Sequence, residues 1–403
     1  MIFIPSSMGR LNKRALLRRL QKAGMASRAD LAKLLGMSQP TAGKIADELL
    51  ADGVLEEVEA PVNGLKDARI GRPGRLLQLN RAEPHFLGIQ LGLSETKLAE
   101  LPLGATEEDQ WQASFSISKS HAQPVGEWEQ RLRAAAARLP HKKFRGVLLS
   151  LPGIVDEEAN RVLFSPNIHW SERVDLPEIV SRIWRAPVLL VQEERALALG
   201  HQLANPDSEN FLLVDFGEGV GGAIILQGKP YANPTPIHGE LGHTPVLGNQ
   251  RRCGCGAVGC VETLVSTRGL LDSFRTHSRK TGTWTELKSH IEKHGVEPWL
   301  AQSLDAAAVA IAGALNVLGL KCVVITGSLT ELPPIVIHHL SRAIQNGTMW
   351  ARFGKVGCEA APRRRTAGLV AVGIDRLVVL TAGQNVVRTK ISHGKSAALE
   401  TLN

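Results

Sequence analysis

The sequence predicts an α/β chain in which a small N-terminal winged helix-turn-helix precedes a larger two-lobed body, and three observations support this. Two short helical patterns meet at Gly36-Met37-Ser38 and run into a basic, Pro/Gly-containing loop flanked by strand-like segments. From residue 84 the texture changes to short apolar strands separated by glycines. One of those strands recurs: Phe86-Leu87-Gly88-Ile89-Gln90-Leu91-Gly92 and Phe211-Leu212-Leu213-Val214-Asp215-Phe216-Gly217 share an apolar run, one polar residue and a glycine. Two lobes of similar topology are therefore expected.

Taken in order, residues 12–23 place Leu16, Leu17 and Leu20 at helical spacing beside Lys13, Arg14, Arg18 and Arg19. Ser27 is placed to cap a second helix with Asp30 in the acidic position of a capping box, and Leu31, Leu34 and Leu35 form its apolar stripe before Gly36. Ser38 caps a third helix with Pro40 in the first turn, and Ile45, Leu49 and Leu50 supply its buried face. Strands at 54–58 and 75–79 then flank the loop 61–74. In this arrangement the third helix would enter a major groove of double-stranded DNA. Ser38, Gln39, Thr41 and Lys44 would face base edges or phosphates, and Lys66, Arg69, Arg72 and Arg75 would meet the backbone or minor groove. Residues 1–80 carry 13 Lys/Arg against 8 Asp/Glu, so much of the net +8 charge gathers at this end, as a polyanion partner favours.

The remaining length, with 43% hydrophobic residues over 403 positions, is enough to bury more than one core. The expected division is 1–80 for the DNA-binding unit, 84–200 and 201–382 for the lobes, and 383–403 for a frayed tail. No uninterrupted apolar run spans a bilayer, and the opening Met-Ile-Phe-Ile turns basic without a cleavage pattern, so a cytoplasmic protein without a membrane partner is expected. Three of the five cysteines fall within eight positions, Cys253, Cys255 and Cys260, close after His243. One imidazole and three thiolates suit a closed, structural zinc site, one ion per chain; Cys322 and Cys358 read as core residues. The glycines of Asp215–Gly222 permit a tight turn near a ligand, or simply a hairpin.

These segments together resemble the ROK family (repressors, open reading frames, kinases). Leu151-Pro152-Gly153-Ile154-Val155-Asp156, Ser165-Pro166-Asn167-Ile168-His169-Trp170, Asp215–Gly222, Gly239-Glu240-Leu241-Gly242-His243 and the cysteine run ending at Glu262 follow the family's order. With the helix-turn-helix in front, the chain is similar to the family's sugar-responsive repressors of the N-acetylglucosamine or xylose type. The resemblance implies an actin-like, two-lobed ATPase fold with sugar in the cleft between the lobes. By motif, Asn167, Glu240 and Glu262 would contact sugar hydroxyls, and His243 would face zinc with one nitrogen and sugar with the other.

Two departures from the family's kinases stand out. Gln90-Leu91-Gly92-Leu93-Ser94 replaces an Asp-x-Gly-x-Thr loop, and Glu193 stands at the catalytic Asp position with Gln192 before it. An additional methylene displaces the carboxylate by roughly an ångström, which costs about a hundredfold in rate. Phosphoryl transfer is expected to be lost, leaving no catalytic residue, with Gln192 and Glu193 still lining the sugar pocket. Ala232-Asn233-Pro234-Thr235-Pro236 is a third departure, in place of glycines before the zinc loop. The expected partners are operator DNA, a sugar or sugar derivative, and further copies of the chain in a homodimer or tetramer.

Overall fold

A computed structural model describes residues 5–59, 75–104, 108–117, 124–141, 143–231, 235–278 and 282–380. The wing loop with Lys66, Arg69 and Arg72, the segment 232–234 and the tail 383–403 lie outside the described residues.

The first helix, α1 (Pro5–Ala23), starts before the expected residue 12 and buries Leu16, Leu17 and Leu20. A short strand that the periodicity did not reveal, β1 (Met25–Ser27), follows. Ser27 Oγ accepts from Asp30 N at 3.1 Å and starts α2 (Arg28–Leu35), which ends at Gly36 in the left-handed region, φ 63°, where glycine is unstrained. Leu31 and Ala32 are buried, but Leu34 is 56% exposed and does not belong to the expected stripe. Helix α3 (Gln39–Ala51) is capped by Ser38, whose Oγ accepts from Thr41 N; Ile45 and Leu49 are buried together with Ala42 and Ala46, and Leu50 is half-buried. Strands β2 (Leu55–Val58) and β3 (Leu76–Leu79) complete a sheet of order β1-β3-β2.

The lobes repeat one plan. In the first, β4 (Pro84–Leu91), β5 (Thr96–Pro102) and β6 (Ala113–Phe115) form an antiparallel meander. After α4 (Pro124–Arg138), β7 (Gly146–Leu151) adds parallel to β4. The hairpin β8 (Ile154–Asp156) and β9 (Arg161–Phe164) and helix α5 (Leu176–Trp184) lead to β10 (Val188–Gln192), parallel to β7, and then α6 (Glu193–Ala204). In the second lobe, β11 (Phe211–Phe216), β12 (Val220–Leu226) and β13 (Lys229–Pro230) make the meander. Helices α7 (Glu262–Val265), α8 (Thr267–Ser278), α9 (Trp284–His294) and α10 (Pro298–Leu318) precede β14 (Cys322–Gly327), parallel to β11. Helix α11 (Pro334–Gly347), β15 (Gly357–Ala360), parallel to β14, and α12 (Arg365–Gly373) close the plan, and a π-helical turn, Ile374–Val379, extends α12. The two recurring sequence strands are β4 and β11, the central strand of each sheet.

The expected boundary at 200/201 falls inside α6, and the structure shows why no clean cut exists. Leu197 and Ala198 of α6 pack with Phe211, Leu213 and Ile225 of the second sheet. In exchange, Leu369 and Val370 of α12 join Phe86, Ala99 and Leu148 of the first. The two helices cross at glycines: a β-carbon on Gly200 would lie 1.8 Å from Arg364 O, and one on Gly368 would lie 1.7 Å from Ala196 O. Helix α10 is long and apolar enough to cross a membrane by composition, but Leu300, Leu304, Ala307, Ile311 and Leu315 form a stripe in the second lobe's core. Cys322 and Cys358 are half-buried; Cys358 packs at the margin of that core, and Cys322 against the smaller cluster of Phe211, Leu213 and Ile225.

One contiguous core joins Leu16, Leu17 and Leu20 of α1 to Leu77, to Phe86 and to Leu377, Val378 and Val379. Truncating Leu20 to Ala should therefore cost about 2–5 kcal/mol. Because Trp111 packs on that core from the first lobe, the loss should appear as a lower urea midpoint of tryptophan fluorescence. An unchanged midpoint would make the N-terminal unit independent of the body.

Candidate ligand cleft and metal centre

The equivalent turns after β4 and β11 face each other across the gap between the lobes. Their tips touch: Ser94 Oγ donates to Glu218 Oε2 at 3.1 Å. Behind them lies a cavity of about 230 Å³ lined by residues including Gln90, Asn167, Glu193, Glu194, Glu240, His243, Glu262 and Arg363. A larger cavity of about 940 Å³ adjoins it, sharing Asn167, Glu218 and Glu262 and reaching Arg251 and Arg268.

The floor of the cleft is made by the first residues of α6 and the approach to α12. Arg363 donates through Nε and Nη2 to the two oxygens of Asp215, each at 2.8 Å, and Thr326 Oγ1 donates to Oδ1 at 2.7 Å. Burial alone would push the Asp215 carboxyl up; the Arg363 charge and hydrogen bonds overcome this and hold it below its usual range. Arg363 Nη2 lies 2.7 Å from where a β-carbon would stand on either Gly217 or Gly327, so it fills the space between those two turns. Arg365 pairs through Nη2 with Glu193 and through Nη1 with Asp109 Oδ2 at 2.9 Å. Gln90 Nε2 donates to the same Glu193 oxygen at 2.9 Å. One oxygen of Glu193 is thus held by two donors. Glu194, half-buried beside Glu193, is driven well above the usual carboxyl range by burial first and by its neighbour's charge second.

The other wall carries the four predicted metal ligands. His243, Cys253, Cys255 and Cys260 place their ligand atoms within 4.8 Å of one another. His243 Nδ1 stands 3.6 Å from Cys253 Sγ, and Cys255 Sγ 3.7 Å from Cys260 Sγ. Tetrahedral bonds of about 2.3 Å to sulfur and 2.0 Å to nitrogen require separations of roughly 3.5–3.8 Å, so this donor set fits a metal ion. Burial pushes the Cys253 and Cys260 thiols up, so an incoming ion must displace protons. The remaining imidazole nitrogen, Nε2, points to Glu240 Oε2 at 3.7 Å. Burial raises the Glu240 carboxyl, with His243 opposing. Glu262 Oε2 accepts from Val220 N at 2.9 Å and so fixes the glycine turn, while Asn167 Oδ1 lies against Gly254 of the cysteine loop.

Asn167, Glu193, Glu240, His243 and Glu262 are therefore together on one cavity. Gln192 is not: it is buried with 4% exposure, and the residue lining the cavity beside Glu193 is Glu194. Strand β10 ends at Gln192 and α6 begins at Glu193, and it is the first residues of the helix, not the last of the strand, that line the cavity. Arg363, Arg365 and Asp109 were missed in the sequence, where Arg363-Arg364-Arg365 reads as a solvated basic run and nothing links it to Asp215. In the helix-turn-helix, Gln39, Thr41 and Lys44 are exposed on α3. Ser38 is exposed too, but its hydroxyl is engaged at the cap, and Arg75 is paired with Glu57.

Removing Arg363 should leave Asp215 buried without its counter-charge. Because Asp215 is held low in the folded state, its contribution is present above the unfolded carboxyl range and is lost as pH falls through the folded value. In Arg363→Ala the same carboxyl rises, so the variant should lose about 3 kcal/mol near neutrality and regain part of it in acid. Chemical denaturation at pH 7 and pH 4 measures this, and an equal deficit at both would count against the pairing.

Comparison with known proteins gives a consistent family placement. The ROK family profile matches residues 106–370. The xylose repressor of Bacillus subtilis is 22% identical over 92% of this chain and 95% of its own length. The N-acetylglucosamine repressor of Shigella flexneri is 25% identical over 64% of this chain and 63% of its own length, so the chain spans just under two thirds of some curated relatives and nearly all of others. Among solved structures, a ROK family transcriptional regulator described as a homologue of the Escherichia coli MLC protein superposes with a TM-score of 0.72 at 21% identity, covering 93% of this chain and 98% of that one. A ROK family glucokinase from Streptomyces griseus, in complex with glucose and AMPPNP, has a TM-score of 0.58 at 21% identity, covering 71% and 97%. The two-lobed body is thus the fold of the sugar kinases with a helix-turn-helix in front, and the chain belongs to the ROK family.

Proposed function

We propose that this protein is a sugar-sensing, DNA-binding transcriptional repressor of carbohydrate-metabolism genes that has lost kinase activity. The observation that carries this is the division of the cleft. On the phosphate side, Arg363 and Arg365 consume Asp215 and Glu193, the two carboxylates that metal-assisted phosphoryl transfer would need. On the other side Asn167, Glu240, His243 and Glu262 still line the cavity, offering the mixed donors and acceptors that sugar hydroxyls require. The repressor names of relatives on both the xylose and the N-acetylglucosamine side agree with this reading.

The Cys/His cluster would hold one zinc per chain. Its role is structural: it fixes the loop and leaves His243 Nε2 directed at the ligand. Residues 1–80 form the operator-binding unit, with Gln39, Thr41 and Lys44 presented to the groove, Ser38 chiefly capping that helix, and Arg72 and Arg75 meeting the backbone. Residues 84–382 form the sensor. A symmetric homodimer, or a tetramer built from it, suits paired half-sites. Val309 and Val317, 73% and 87% exposed on α10 beside an apolar hollow of about 480 Å³, support such a contact. Binding operator DNA locates the protein in the cytoplasm.

Signal transfer follows the packing. A ligand at Glu193 bears on Arg365 at the start of α12, whose π-helical extension carries Asp375 paired with Arg14 of α1. A change in lobe closure therefore moves the seat of the DNA-binding unit.

Zinc analysis should give about one ion per chain, falling in Cys255→Ser. The full chain, zinc-loaded, should then be melted against sugars, amino sugars and sugar phosphates, with and without magnesium ATP. A sugar at a hundred times its dissociation constant should add about 2.7 kcal/mol. A midpoint shift from sugar alone is expected; a shift that requires ATP, or ATP-dependent phosphorylation of the hit, would overturn the loss of kinase activity.

A further inference from the structure

A second cavity, of about 220 Å³, lies where α1 docks on the body. Arg14, Arg18 and Lys22 line it from α1, four residues apart and hence in one stripe along the helix. Arg195 of α6 and Arg376, just beyond α12, line it from the body. Against these five cations the described lining holds one carboxylate, Asp375.

Three of the cations have acidic partners: Arg14 with Asp375, Lys22 with Asp207 at 3.0 Å, and Arg195 with Glu157. Arg376 donates to a backbone carbonyl, Glu157 O, at 3.3 Å, and no ion pair of Arg18 occurs among the described residues. Arg195 Nε is buried without a hydrogen-bond partner among them. Arg18 and Arg376 are thus left at the joint without a carboxylate partner among the described residues, and guanidinium forks match the oxygens of a phosphate.

We propose that this joint is a binding site for a small phosphate dianion, either free phosphate or the phosphomonoester head of a metabolite, separate from the sugar cleft. Its position gives it a regulatory consequence. It touches α6, whose first residues line the cleft, and the extension of α12, the helix that follows the cleft residue Arg363, and it touches α1 of the DNA-binding unit. An anion here would clamp the unit in its docked orientation.

The test is calorimetric titration of the full-length protein with inorganic phosphate at constant ionic strength, with chloride as the control and glucose 6-phosphate as a second arm. Saturable phosphate binding is expected, weakened at least tenfold in a double variant carrying Arg18→Gln and Arg376→Gln. Tighter binding of glucose 6-phosphate that the double variant also loses would identify a phosphomonoester; equal binding would identify free phosphate. Should the double variant not fold, Arg18→Gln alone, at an exposed position, provides the comparison. Heat no greater than the chloride control, or phosphate binding that the variants retain in full, would overturn the proposal.

Discussion

The buried ion cluster in which Arg365 holds Glu193 and Asp109 joins three parts of the chain that the lobe plan would otherwise keep apart. Arg365 is 2% exposed, and a guanidinium so placed costs far more than it returns unless its charge is matched. Asp109 also accepts from Thr366 N at 2.8 Å, which fixes the first turn of α12 on the first lobe. Burial pushes the Asp109 carboxyl up, with the Arg365 charge opposing it. From this anchor α12 runs across α6 and on to α1, so the cleft, the lobe crossing and the seat of the DNA-binding unit share one support.

On the function proposed above, the same cluster accounts for a kinase-like body serving as a sensor without a change of fold. Gln90 and Asp215 occupy equivalent places at the ends of the two central strands, and α6 and α12 are equivalent helices that exchange sheets. In a site for magnesium nucleotide those polar positions would serve a metal and phosphates. Here Arg363 pairs with Asp215, and Arg365 pairs with Glu193, the carboxylate that Gln90 also contacts. The opposite wall, tied to the cysteine loop by His243, carries Asn167, Glu240 and Glu262, the residues proposed to meet sugar hydroxyls.

Much of this was legible in the sequence because it rests on local rules. Ser27 and Ser38 are caps, Gly36 takes the left-handed turn, and the paired strands at 86–92 and 211–217 reveal the repeat. The cysteine spacing announced its cluster because metal ligands on one loop must be close in sequence. What stayed hidden depends on tertiary contact. The exchange of α6 and α12 leaves no local trace beyond Gly200 and Gly368, glycines inside helices that periodicity alone cannot interpret. Arg363 and Arg365 look like surface charge until the fold brings Asp215 and Glu193 to them. Glu194 rather than Gln192 lines the cavity because a strand-to-helix turn, not a residue type, sets which side chain faces inward. Strand β1 is three residues long, too short for any alternation to register.

On the function proposed above, occupancy of the cleft is transmitted to the DNA-binding unit. The most direct measurement of that transmission is the affinity of the full-length protein for an operator fragment selected from random DNA, with and without a sugar that stabilises the protein. Saturating sugar should weaken operator binding by roughly 5- to 150-fold, the usual range of allosteric coupling. Unchanged operator affinity with the cleft demonstrably full would contradict it.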